Sequence, residues 1–297
     1  MISGFTIILE DEILYCSDEN KYNAFEVVLF VEKLLRSINP RYTWRLKKIS
    51  LKNPKIGREK ILVKHIITNL NQNLFFCIVG NFDTGSSEAF KMLDEFSKQV
   101  NIQFKKFTEL KQASEESTFE EIISLIATYL EDKYTEPLEE EIIFDDKDNN
   151  FNNKILYAGI SSQGLPIISQ LYDVNLLKSL ERERTYENIE LFTSDLSAKL
   201  ATISMNTQIR AKTKIKEIHL DDTEEEESKK IILFGSIDGY SLDFIASGGF
   251  YRIKNIFKVL KDKMEIDSVF QQEFTGDLRP FKHLKLYLSE IIKEFDH

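Results

Sequence analysis

A chain of 297 residues exceeds one ordinary core, and two domains of roughly 140 residues each fit the usual domain size. Hydrophobic residues make up 42% and aromatics 11%, which excludes global disorder, and no apolar run reaches the roughly 18 residues of a membrane span. The net charge of −10 is local: EEEIIFDDKD (139–148) holds six acids and one Lys, and DDTEEEES (221–228) holds six acids and no base, so a basic footprint for nucleic acid is missing.

The opening MISGFTIILEDEILYCSDEN has no basic stretch and is read as lacking a secretory signal; a soluble, cytoplasmic protein is expected. FTIIL and EILYCS read as two strands around a Glu10-Asp11 turn. YNAFEVVLFVEKLLRSI (22–38) is predicted to be a helix, with apolar residues at 24, 27, 28, 31, 34, 35 and 38. Three strands follow, YTWRLKKISL, EKILVKHIITN and LFFCIVGNF. Two helices close the half, SEAFKMLDEFSKQV and TFEEIISLIATYLEDKY, with Ser86-Ser87 and Ser117-Thr118 as hydroxyl caps. Cys16 and Cys77 lie in the strand runs and read as buried free thiols.

PLEEEIIFDDKDNNFNN (137–153) combines Pro, charge and Asn as linkers do. Beyond it the same order returns: NKILYAGIS and LPIISQLYD around Gly164, then the helical stretch LLKSLERERTYENIELFTSDLSAKLATISMNTQ. IRAKTKIKEIHL, KKIILFGSI and YSLDFIASGGF read as strands, with a type I′ hairpin at Asp238-Gly239. YRIKNIFKVLKDKM and PFKHLKLYLSEIIKEF are amphipathic helices. The chain therefore reads as two domains, 1–136 and 154–297, each ββαβββαα, joined by an acidic, Asn-rich linker at 137–153.

Gly80 to Ser87 spells G-x-x-x-x-G-S-S, close to a phosphate-binding loop, but Ser86 stands where that loop needs Lys. The corresponding slot in the second copy, LDFIASGGFYRIKNIF, has no such pattern, so both are read as tight turns. His65, His219, His283 and His297 are scattered, without metal-ligand spacing, and His65 reads as a hydrogen-bonded structural residue. No catalytic motif is found, and neither enzyme activity nor a cofactor or metal is expected.

The ββαβββαα order, carried by runs such as FTIILEDEILYCSD followed by an apolar helix, resembles the longin domain of trafficking proteins. Roadblock domains are related but begin with a helix. The resemblance implies an α/β (α+β) fold of two modules. Each would be a five-stranded antiparallel sheet between one helix and two, with the third strand of each sheet at an edge. It also implies a non-catalytic interaction scaffold that binds or regulates small GTPases. The expected partner is a protein, a small GTPase or another longin or roadblock protein, with pairing as a homodimer or as a pseudo-dimer within the chain. A small-molecule sensor of PAS or profilin-like architecture is the alternative.

The interface residues come from helical geometry. Phe25 and Leu29 fall among Asn23, Glu26, Glu32, Lys33, Arg36 and Ser37, away from the main apolar arc. Leu191, Ala198 and Met205 line up at seven-residue spacing outside the stripe of Ile189, Phe192, Leu196, Leu200 and Ile203. With Trp44 and Leu46 on the third strand, these are the residues expected at a protein interface.

Overall fold

The structure, a computed structural model, describes residues 2–39, 43–55, 57–82, 87–104, 110–134, 153–173, 176, 186–223 and 229–295. The fold is mixed α/β, with ten strands and seven α-helices among the described residues. The chain divides into two compact units, Met1–Leu29 with Leu46–Asp145, and Phe30–Arg45 with Asp146–His297. Residues 30–45 thus group with the second unit, a grouping not visible in the sequence. Residues 137–152 of the expected linker lie outside the described residues, as do 83–86 of the glycine-rich turn and the acidic run at 224–227.

The first half runs β1 (Ile2–Leu9), β2 (Glu12–Cys16), α1 (Tyr22–Ile38), β3 (Trp44–Asn53), β4 (Gly57–Ile67), β5 (Asn73–Gly80), α2 (Ser87–Gln103), α3 (Leu110–Ala113) and α4 (Ser117–Lys133). Its strands are antiparallel in the order β2-β1-β5-β4-β3. The β1–β2 turn places Glu10 at a φ of 53°. There the Glu10 amide donates to the Asn73 carbonyl at 2.7 Å, and its carboxylate accepts from the Asn73 amide at 2.6 Å. The turn is thereby tied to the start of β5.

One face of this sheet carries Phe5, Ile7, Leu62, Leu74, Phe76 and Ile78. It packs against Met92, Leu93, Phe96 and Val100 of α2 and Phe119, Ile123 and Leu130 of α4. Each such buried side chain contributes about 1.5–3 kcal/mol. The other face, Ile8, Ile61, Phe75, Cys77 and Val79, is fully buried as well, which is why these strands read as continuous apolar runs. Two local expectations change. The four-residue helix α3 is too short to leave a periodic signal, and α4 starts at Ser117 with Glu116 as N-cap and no side-chain capping bond.

The second half runs β6 (Lys154–Ser162), β7 (Leu165–Leu171), α5 (Tyr186–Arg210), β8 (Lys214–Asp222), β9 (Lys229–Ile237), β10 (Tyr240–Ser247), α6 (Phe250–Glu265) and α7 (Lys282–Phe295). Its strand order is β7-β6-β10-β9-β8. Taken by position within each half, both orders are 2-1-5-4-3. Asp238 and Gly239 both have positive φ, 42° and 90°, as a type I′ hairpin requires. α5 continues to Arg210, so the strand expected from Ile209 begins only at Lys214, after Lys212 turns the chain with a φ of 50°.

α6 and α7 cover one face of this sheet, where Ala158, Ile160, Leu233, Leu242 and Phe244 meet Ile256, Leu260, Leu284 and Leu288. α5 packs on the opposite face, across β6, β7, β8 and β10.

Candidate interaction face and buried polar site

The residues expected at an interface divide by burial. Phe25 is 0% exposed, and Trp44 and Leu46 are buried too. Leu29 and Ala198 are half-buried. Phe25, which helical geometry places off the main apolar arc, is buried together with Glu32 from the polar arc. Within that polar arc Asn23, Lys33 and Ser37 are exposed, whereas Glu32 is buried as Phe25 is. Trp44 follows Thr43, whose carbonyl accepts from the backbone amide of Thr223 at 3.0 Å and from its hydroxyl at 3.1 Å. Arg210, the last residue of α5, lies over the ring of Phe30 with 5.1 Å to the centroid.

Leu191 and Met205 remain open, at 62% and 45% exposure. Ile209 is 65% exposed, and its place four residues after Met205 puts it on the same line of α5. Sequence reading assigned Ile209 to a strand and so missed it. These three residues form an outward apolar stripe on α5, flanked by the Lys199–Asp195 ion pair at 2.6 Å.

The titratable groups fall into two kinds. In the first, the charge is satisfied. Glu217 accepts from Lys254 Nζ at 2.8 Å and lies 3.2 Å from His219 Nε2. Burial pushes its pKa up, but these two partners outweigh that and hold it at about 2. A carboxylate held ionised so far below neutral pH makes a poor base. Asp267 is likewise held low by His283 at 2.7 Å, against the effect of burial. His65 shares a hydrogen bond with Asn73 Oδ1 at 2.9 Å and stacks on Phe75, the structural role expected of it. His297 lies outside the described residues. Cys16 and Cys77 are not joined in a disulfide; the first is half-buried and the second buried.

The second kind is a polar cluster under α5. Gly159 of β6 is the register partner of both Asp243 on β10 and Ser169 on β7. The phenol of Tyr157 folds over Gly159, with its Cζ 2.8 Å and its Cε1 3.2 Å from where a Cβ would stand. Only glycine leaves room for that ring. Asp243 is fully buried, and among the described residues neither carboxylate oxygen has a hydrogen-bond partner; the same holds for Tyr157 Oη and Ser197 Oγ. Burial alone pushes the Asp243 pKa up from 3.8 to about 8. Tyr157 is raised as well, first by burial and then by the neighbouring Asp243. The Ser197 and Ser169 hydroxyls draw it back, although neither is aligned as a hydrogen bond. Asp243 sits in YSLDFIAS, where alternation reads as an ordinary outward polar position. Nothing local reveals that a helix covers it.

Among the described residues no three His, Cys, Asp or Glu side chains are grouped to hold a metal ion, and no helix is long and apolar enough to cross a membrane. Comparison with protein-family models finds none that matches the chain, and comparison with curated proteins finds none similar to it in sequence.

Proposed function

We propose that the chain is a non-catalytic interaction scaffold made of two longin-like modules, and that it binds or regulates a small GTPase. The observation that carries this reading is the repetition. Two halves with little residue identity share one element order and one strand order, 2-1-5-4-3, each with one α-helix after its second strand and further helices after its fifth among the described residues. Repetition of a whole architecture without a shared cluster of reactive side chains among the described residues fits selection for surfaces rather than for a reaction. The outward stripe of Leu191, Met205 and Ile209 supplies such a surface.

A second reading, a small-molecule sensor, has one observation in its favour: the partnerless polar groups of Asp243, Tyr157 and Ser197.

The test is binding of the purified chain to a panel of small GTPases, each loaded with GDP or with a non-hydrolysable GTP analogue, measured by interferometry. At least one GTPase is expected to bind at micromolar or better affinity. The double variant Leu191→Asp with Met205→Asp should weaken that binding at least about tenfold while leaving Tm unchanged, since both sites are exposed. Absence of binding across the panel, or binding indifferent to the double variant, overturns the proposal.

A further inference from the structure

Asp243 stands in the middle of the second unit's sheet, on a strand hydrogen-bonded to β6 on one side and β9 on the other. Those ladders hold the strands on its two sides. α5, by contrast, rests on the strands through side chains and contributes Ser197 directly to the cluster. An ionised carboxylate here has no donor among the described residues, and such a group must either take up a proton or draw in water. Among the described elements packed around it on this face, α5 is the one not held by a ladder, and its movement would let water in.

The charges around it offer no relief. Tyr157 is the titratable group that faces it, and it is an acid as well. β7 carries no charged residue, and Lys154 is exposed at the start of β6. On β9, Lys229 is exposed and Lys230 pairs with Asp222 at 3.4 Å. On β8, Lys214 is exposed and Lys216 is two strands away from β10. Along α5, Glu190 and Arg210 are exposed and Lys199 pairs with Asp195.

We propose that Asp243 acts as a proton-operated lock on α5: the neutral acid keeps the helix seated on β6, β7 and β10, and loss of the proton unseats it. The raised pKa, about 8, puts the transition at mildly alkaline pH. Tyr157 and Ser197 are positioning residues, because they fill the space above Gly159 and shut out water while the acid is neutral.

The test is hydrogen–deuterium exchange of the full chain at pH 6 and pH 9, corrected for the intrinsic change in rate and read on peptides within 188–210. Exchange in α5 is expected to speed up at least about tenfold at pH 9 while β9 and β10 stay protected, and Asp243→Asn should abolish the difference. Equal protection of α5 at both pH values, or the same pH dependence in Asp243→Asn, overturns the proposal. If Asp243→Asn fails to fold, carboxyl-carbon NMR of the unaltered chain decides. An aspartate titrating above about pH 6.5 supports the lock, and none doing so overturns it.

Discussion

Replacing Gly159 by alanine tests whether the packing around Tyr157 is as tight as its geometry implies. The new methyl group would overlap the phenol oxygen and stand 2.8 Å from Cζ and 3.2 Å from Cε1. The ring is fully buried, and the backbone of β6 is held between β10 and β7, so neither side yields cheaply. Overpacking of this kind costs about 1–3 kcal/mol, and the upper end is expected because the nearest atoms belong to a rigid ring. The ring-shortening change Tyr157→Leu removes those atoms. In that background Gly159→Ala should cost little, since alanine lowers the entropy of the unfolded chain by roughly 0.4–1 kcal/mol and the φ of Gly159 is not positive. Urea denaturation of the four proteins at pH 6 gives the coupling directly, with roughly 2 kcal/mol expected between the two sites. Equal cost of Gly159→Ala in both backgrounds would refute the steric account.

Glu217 gives the pH dependence. Its folded pKa of about 2 lies below the ordinary 4.5, so the stability it adds is fully present above pH 4.5 and is lost as pH falls toward 2. The advantage of the unaltered chain over Glu217→Gln should shrink by about 2 kcal/mol between pH 5 and pH 3, measured by urea unfolding; an unchanged difference would show that Lys254 and His219 do not hold the carboxylate. Burial separates two residues that sequence reading grouped together. Phe25→Asp buries an unpaired charge and empties a core position, for a loss of about 4 kcal/mol or more, whereas Leu191→Asp should stay within roughly 0.5 kcal/mol. Calorimetric melting of the two variants checks this, and similar Tm values for both would contradict the burial of Phe25.

Local structure was legible where local physics decides it. The period of apolar residues marked α1 from Tyr22 to Ile38, the Asp238-Gly239 pair marked its hairpin, and the repeated order of elements marked the doubling of the architecture. Each of these follows from backbone sterics or from a helix or strand showing one apolar face. Which surfaces stay open is a different matter, because helical geometry gives the direction of a side chain but not what lies opposite. Phe25 and Leu191 both fall outside their main apolar arcs, yet one is 0% and the other 62% exposed. The Phe30–Arg45 stretch grouped with the second unit for the same reason: its contacts are with residues far away in the chain. Asp243 is the sharpest case. Its alternating strand resembles one with a solvated face, and only the packing of α5 over Gly159 and Tyr157 removes the water and turns an ordinary aspartate into a proton-holding acid.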